Sequence, residues 1–388
     1  MIERELRERV LGAATQYPAV SVTGPRQSGK TTLVRDAFPG YEYVSFENED
    51  VRAQFEENPR DFLVRYRSHV IFDEAQRVPS LFSYLQEVID ESDEPGRFVL
   101  TGSQNFLLMK SVTQSLAGRV ALFTLLPLSL FELSSAGLAP ASPVEWLYAG
   151  GYPRLFDHGI DPADFFDNYV ETYLTRDVRA ELGVRSLSDF RRFLGLCALS
   201  CGELLNVSRL ATDCGIAHET AKSWLSILEA SHIVFMLQPH LGNARKRLTK
   251  RPKLYFYDTG LACALLGVGG ADELLLSERR GPLFESAVVS ELMKRSFARS
   301  RRVRLSYWRD ANKNEIDLVI EKGLQPVGAV EIKSSATYNP RFFKTLAAHA
   351  GDLGLGPESC AVVYGGDYEM DTEAGRLVSY RNAGSLLA

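Results

Sequence analysis

Cysteine is scarce in this chain of 388 residues: Cys197, Cys201, Cys214, Cys263 and Cys360 make five, and no two form a C-x-x-C pair. An odd number without ligand spacing argues against a disulfide framework or a zinc site, and fits reduced thiols in a cytoplasmic protein. The opening Met1-Ile2-Glu3-Arg4-Glu5-Leu6-Arg7 has no apolar signal core, so export is not expected. Long hydrophobic runs are missing too. Val120 to Leu133 comes nearest, but Thr124, Pro127 and Ser129 interrupt it, so it reads as a buried strand and turn rather than a membrane span. No sign of charge dominates: a net charge of −5 argues against nonspecific coating of nucleic acid and leaves only a local basic face open. Internal repeats and low-complexity tracts are absent. No Ser-His-Asp or reactive-cysteine arrangement emerges, and His69 and His232 have no neighbours at metal-ligand spacing. Trp146, Trp224 and Trp308 read as core or interface residues.

What is present points to an ordinary globular protein, 45% hydrophobic and 24% charged, long enough for two or three domains. The first third alternates short apolar runs with helical stretches, the pattern of a parallel sheet wrapped by helices. Strands are expected at Ala19–Thr23, Tyr41–Phe46, His69–Phe72, Phe98–Thr101 and Val120–Leu125. A helix is expected over Leu81–Asp90, where Leu81, Tyr84, Leu85 and Val88 recur at helical spacing. Further helices are expected at Phe165–Glu181 and Phe190–Ser200.

Between the first strand and the helix that follows it lies Gly24-Pro25-Arg26-Gln27-Ser28-Gly29-Lys30-Thr31, which fits G-x-x-x-x-G-K-[ST]. Glycines let backbone N–H groups turn toward phosphate oxygens, and the helix beginning near Thr31-Thr32 adds the positive end of its dipole. Lys30 is expected on the β- and γ-phosphates and the Thr31 hydroxyl on Mg²⁺, so ATP and Mg²⁺ are the expected ligands. Downstream, the apolar His69-Val70-Ile71-Phe72 run ends in Asp73 and Glu74. Asp73 suits an indirect Mg²⁺ ligand, and Glu74 suits a group that orients and polarises an attacking water. Phe98-Val99-Leu100-Thr101-Gly102-Ser103 ends beside the same loop if the strands are neighbours. Ser103, or Thr101, would then sense the γ-phosphate or position the water, unless this is only a strand-end turn. Arg119 is either a transition-state cation acting in cis or from a neighbouring subunit of a homo-oligomer, or one half of a surface salt bridge; Arg176 is its rival.

These landmarks resemble one bacterial and archaeal family of AAA-type ATPases, whose C-terminal domain of unknown function has a restriction-endonuclease-like core. The residues that carry the resemblance are Gly24–Thr31, Phe72-Asp73-Glu74, Leu100-Thr101-Gly102-Ser103, Gly118-Arg119 and Leu126-Pro127-Leu128-Ser129. Gly150-Gly151-Tyr152-Pro153 and Tyr173–Asp177 extend it over nearly the whole chain. It implies an α/β P-loop sheet in the strand order 5-1-4-3-2, which sets the Asp73-Glu74 and Ser103 strands next to the phosphate loop.

After the first domain, Val207-Ser208-Arg209-Leu210-Ala211 starts a short helix, Gly215 sits near a turn, and Glu219 to Leu228 forms a second helix. Apolar Ile233–Leu237 and Lys253–Tyr257 follow, in the order of a winged helix-turn-helix. Between them lie Arg245, Lys246, Arg247, Lys250 and Arg251, and Lys253 begins the second strand; no acid occurs from Ala230 to Tyr257. This basic loop either tracks the phosphate backbone of DNA, with Lys222 and His218 approaching a groove, or is a solvated loop on a scaffold.

In the last third, Glu285 lies on a helical stretch, Asp317 on a strand, and Glu331 and Lys333 on another strand, where a side-chain period of two puts them on one face. Asp317 and Glu331 suit a hard cation, Lys333 suits a group that positions water, and Glu285 would complete the shell. Order and spacing resemble the D…E-x-K signature of restriction-endonuclease-like folds. The domain either cleaves DNA with a metal or only binds DNA or a protein partner. The expected scheme is a P-loop domain over 1–140, a helical and winged-helix region over 141–258, and a nuclease-like α/β domain over 259–388. Two functions remain open: ATP hydrolysis coupled to action on DNA, or an ATP-dependent switch with a catalytically silent C-terminal domain.

Overall fold

Five apolar runs of the first third form the strands β1 (Ala19–Thr23), β2 (Glu42–Ser45), β3 (Val70–Asp73), β4 (Phe98–Gly102) and β5 (Val120–Thr124). In this computed structural model, residues 2–92, 94–103, 115–174, 186–240, 251–299 and 303–387 are described. All neighbouring pairs in the first sheet are parallel, and the order is β2-β3-β4-β1-β5, the order implied by the resemblance. Strand ends differ by a residue or so from the sequence expectation, for local reasons. His69, expected to open its strand, has φ of +58°, a left-handed conformation that cannot extend a sheet, so β3 begins at Val70.

Alternation along each strand feeds two cores, because helices cover both faces of a parallel sheet. Val20 and Val22 of β1, Ile71 and Val99 pack with Leu33 and Val34 of the helix after the loop. Val70, Phe72, Phe98 and Leu100 point to the opposite face, against Phe46, Phe55, Phe62, Leu81 and Leu85. There the rings of Phe46, Phe72 and Phe98 stack at centroid spacings of 5.7 and 6.0 Å. Each such pair adds about 0.5–1.5 kcal/mol beyond its area burial. This packing fixes the adjacent ends of β1, β3 and β4, where the chemistry-bearing residues leave the sheet.

The described chain divides into two compact units, the first centred on Met1–Leu128 and the second containing Ser129–Glu229, Ile233–Ser296 and Ser300–Ala388. In the second unit the helices Leu187–Leu199, Val207–Cys214 and His218–Ala230 precede an antiparallel pair, β6 (Val234–Leu237) and β7 (Lys253–Phe256). Asn206 caps Val207–Cys214 by accepting from the Arg209 N–H, and Gly215, at φ +76°, ends it. Of the helix expected over Phe165–Glu181, the described part is Pro162–Tyr169, continued by a wider π-helical turn over Val170–Leu174, and 175–181 lie outside the described residues. Arg176 lies outside the described residues, as do Arg245, Lys246, Arg247 and Lys250.

Gly150-Gly151-Tyr152-Pro153 has a structural job. The buried Asp258 carboxylate accepts from the Gly151 N–H at 2.7 Å and from the Leu261 N–H at 3.1 Å, and burial pushes its pKa up. Gly150 has φ of +65°, and a Cβ there would overlap that carboxylate.

A second sheet has the order β12-β13-β11-β10-β9-β8. Its strands are β8 (Val303–Arg309), β9 (Glu315–Lys322), β10 (Gln325–Lys333), β11 (Cys360–Tyr364), β12 (Met370–Thr372) and β13 (Gly375–Ser379), preceded by the helix Arg280–Arg299. The helix that carries Glu285 and the strands that carry Asp317 and Glu331 were expected. The β12–β13 hairpin was not, since three residues of β12 are too few to display a period. Among the described residues no helix is long and apolar enough to cross a membrane.

Candidate functional site

Because β3, β4 and β1 are neighbours and parallel, their C-terminal ends open at one edge. The loop 24–29 leaves β1 there and enters the helix Lys30–Ala37. Gly24 adopts φ of +146°, and a Cβ on it would overlap the Leu125 carbonyl oxygen, so no side chain fits. Gly29 caps the helix at φ +90°, and Gln27 sits at φ +61°, a costly conformation for a side-chain-bearing residue. Pro25, Arg26 and Ser28 complete the turn, with Thr32 in the first turn of the helix beyond it.

Lys30 folds over this loop and donates to the carbonyls of Gly24 at 3.1 Å and Pro25 at 2.7 Å. Burial lowers its pKa to about 8, against the attraction of Glu74 and Asp73. Asp73, at the end of β3, gathers three hydroxyls: Thr31 Oγ1 at 3.1 Å, Tyr43 OH at 2.6 Å, and Thr101 Oγ1. Glu74 is the next residue and is held at φ +53°. Its Oε2 accepts from Ser103 Oγ at 3.1 Å and from Gln76 Nε2. Thus Lys30, Thr31, Asp73, Glu74 and Ser103 come together.

Sequence reasoning missed Tyr43, Gln76 and Arg4. The Arg4 guanidinium braces the loop from behind, donating to the Ser28 carbonyl at 2.7 Å and the Leu126 carbonyl at 2.6 Å. Only the position of Gln76 just after two acids offered any signal.

Arg119 is not in this group. It precedes β5, whose Val120 pairs with Ala19 at the start of β1, whereas the loop leaves the other end of that strand. Five residues at about 3.3 Å each separate the two edges by roughly 15 Å. Its guanidinium binds Asp90 through two contacts, of 2.5 and 3.0 Å. Action in cis is therefore ruled out by placement, and the salt bridge is what forms.

The residues suit nucleotide and Mg²⁺. The Ser28 hydroxyl is buried without a hydrogen-bond partner among the described residues, inside the turn where Gly24 leaves no room for a side chain. A hydroxyl and a carboxylate, from Thr31 and Asp73, already converge as hard oxygen donors.

In the second unit Asp317, Glu331 and Lys333 lie in contact with one another, and Glu285 is bound by Lys253, a residue not foreseen there. Lys333 Nζ contacts Glu331 Oε2 at 2.5 Å and Asp317 Oδ2 at 3.6 Å, and the Asp317 carboxylate also accepts from the Ile332 N–H at 2.8 Å. Glu285 accepts from Tyr255 OH at 2.5 Å and from Lys253 Nζ at 2.8 Å; the same ammonium reaches Glu315 at 2.5 Å. Burial first, and then repulsion from Asp317, raises the pKa of both Glu285 and Glu331. For Lys253 burial works the other way, but the carboxylates of Glu285, Glu315 and Asp317 outweigh it and keep the ammonium charged.

Lys253 is no basic-loop residue facing solvent; it is buried in β7 and paired with acids. Glu285, Asp317 and Glu331 are each paired with a lysine, and among the described residues no three His, Cys, Asp or Glu side chains are placed to hold a metal ion. Lys222 and His218 are both exposed, and each contacts Glu219, at 3.1 and 3.4 Å.

A five-stranded parallel sheet with a phosphate loop between β1 and its helix, and an Asp-Glu pair ending β3, defines a P-loop ATPase fold. Family profiles match in three stretches: an AAA domain over residues 16–134, a domain of unknown function (DUF8612) over 142–272, and another (DUF4143) over 280–382. The protein named Uncharacterized protein Rv2008c of Mycobacterium tuberculosis is 34% identical over 369 residues, covering 94% of this chain and 80% of that protein. Uncharacterized protein MJ1544 of Methanocaldococcus jannaschii is 21% identical over 330 residues, 77% of this chain and 71% of that protein. Among solved structures, the Walker-type ATPase paby2304 of Pyrococcus abyssi aligns with a TM-score of 0.45 at 17% identity, covering 68% of this chain and 96% of that one. The chain belongs to the family of AAA-type ATPases that carry this C-terminal domain of unknown function.

Proposed function

We propose that this chain binds Mg·ATP at the loop around Lys30, hydrolyses it, and uses the nucleotide state to control what its C-terminal domain binds. The observation that carries the reading is the convergence of Lys30, Thr31, Asp73, Glu74 and Ser103 at one sheet edge. Loop N–H groups and Lys30 hold the β- and γ-phosphates, and Thr31 and Asp73 hold Mg²⁺, which supplies neutralisation of phosphate charge. Glu74, fixed by Ser103 and Gln76, orients the attacking water and takes up its proton. Arg119 can contribute only to a neighbouring subunit, which would make the working form a homo-oligomer.

Phosphate release measured without any acceptor tests the hydrolysis, and the pH dependence of binding tests the role of Lys30. Lys30 titrates near 8 in the fold, and bound polyphosphate holds it charged, so binding requires proton uptake once the pH exceeds that value. Nucleotide affinity is expected to be flat below pH 8 and to fall about tenfold per unit above it. A flat profile through pH 9.5 would remove Lys30 from the phosphates.

Downstream, the pairing of the buried Lys253 ammonium with Glu285 favours the switch over DNA cleavage. The C-terminal domain then acts as a nuclease-like binding module for DNA or a protein partner, with the winged-helix region beside it. Supercoiled plasmid incubated with Mg²⁺ or Mn²⁺ is expected to stay intact in every nucleotide state. Nicking by the wild type that disappears in Lys333→Ala would restore the cleavage reading.

A further inference from the structure

The acids of the C-terminal sheet already have a cation. Lys253 enters from β7, a strand of the other sheet in the same unit, and its ammonium lies between Glu285 of the helix Arg280–Arg299 and Glu315 of β9. The Tyr307 ring centroid is 5.7 Å from the same nitrogen, and Tyr255 closes the other side by donating to Glu285. A buried ammonium with two carboxylates and a ring face has the surroundings of a bound cation rather than of a surface lysine. The acids are not all satisfied by it. Glu331 is 3% exposed, and its Oε1 is buried with no hydrogen-bond partner among the described residues, although Oε2 holds Lys333. One oxygen in the cluster therefore retains coordinating capacity that neither lysine uses.

We propose that the Lys253 ammonium is a built-in cation that holds Glu285 and Glu315, and by occupying Glu285 keeps divalent metal from a site shared by Glu285, Asp317 and Glu331. The proposal rests on reading the C-terminal domain as nuclease-like, and names the residue that silences it. The competition is electrostatic: a divalent ion needs Glu285 as a ligand, and Glu285 is already paired. Withdrawing β7 by a shift of its sheet would free the acids, and so would removing the charge from residue 253.

The test measures Mn²⁺ binding to the full chain without nucleotide, by electron paramagnetic resonance of free Mn²⁺, with Asp317→Asn marking which binding belongs to the cluster. Wild type and Lys253→Arg are expected to show no Asp317-dependent site. Lys253→Met is expected to gain one, at least about tenfold tighter than any wild-type binding, and to melt higher when Mn²⁺ is added. Since Lys253→Met leaves Glu285 without its ammonium and Glu315 with Arg309 alone, Lys253→Met/Glu315→Gln repeats the measurement with one acid neutralised. Asp317-dependent Mn²⁺ binding by wild type overturns the built-in cation while leaving metal-dependent cleavage standing. A folded Lys253→Met chain that binds no Mn²⁺ removes both. If neither variant folds, with or without Mn²⁺, Lys253 is only a structural ion pair and the proposal falls.

Discussion

Lys30→Ala is expected to lower ATP turnover by at least ~10²–10³-fold, the scale for losing one preorganised charged donor at a transferring phosphoryl group. The fold should survive the change. Lys30 is buried, and its pKa of about 8 lies below the ordinary lysine value of 10.5, so the folded state disfavours the charged form. The sign follows: at neutral pH the buried ammonium costs stability, and this cost disappears as the pH rises from 8 toward 10.5. Alanine removes the cost along with the bonds to Gly24 and Pro25. Phosphate release and thermal melting of the same preparation check both halves. Turnover equal to wild type would sink the assignment of the loop.

The second large effect is expected from Glu74→Gln, which should reduce kcat by about 10²–10⁴-fold and leave KM for ATP nearly unchanged. The substitution is nearly isosteric and imposes no new backbone demand at φ +53°, so geometry is retained. What changes is proton affinity. Ser103 and Gln76 both donate to Oε2, so the amide oxygen must face them and its NH₂ must face the reacting water, where an acceptor is needed. Rapid-quench measurement of bound ATP turnover separates this from a structural role. A loss of nucleotide binding together with rate would mean that Glu74 supports the loop instead of the water.

Strands β1, β3, β4 and β5 were legible because each is a short, mainly apolar run bounded by polar or glycine residues, and the phosphate loop because its glycines and lysine serve one local geometry. Asp73, Glu74 and Ser103 were legible as strand ends. Their partners were not: Tyr43 donates to Asp73 across the β2–β3 pair, and Gln76 bends back to Glu74 within a short helical turn. Arg4 reaches the loop from residues that precede the sheet. Such contacts carry no local pattern, because the two partners answer to different secondary-structure periods.

Local chemistry, written along the chain, was enough to determine the phosphate-binding turn, the acids that follow β3 and the D…E-x-K order near the C-terminus. Tertiary structure decided which charges meet. It took Arg119 to the far edge of the sheet and tied it to Asp90, and it turned Lys253 from an expected nucleic-acid contact into a buried partner of Glu285 and Glu315. The physical reason is the steep distance and burial dependence of electrostatics. A lysine's sequence neighbours say nothing about which carboxylates lie within 3 Å of it, and that separation sets whether its charge faces solvent or is spent inside the fold.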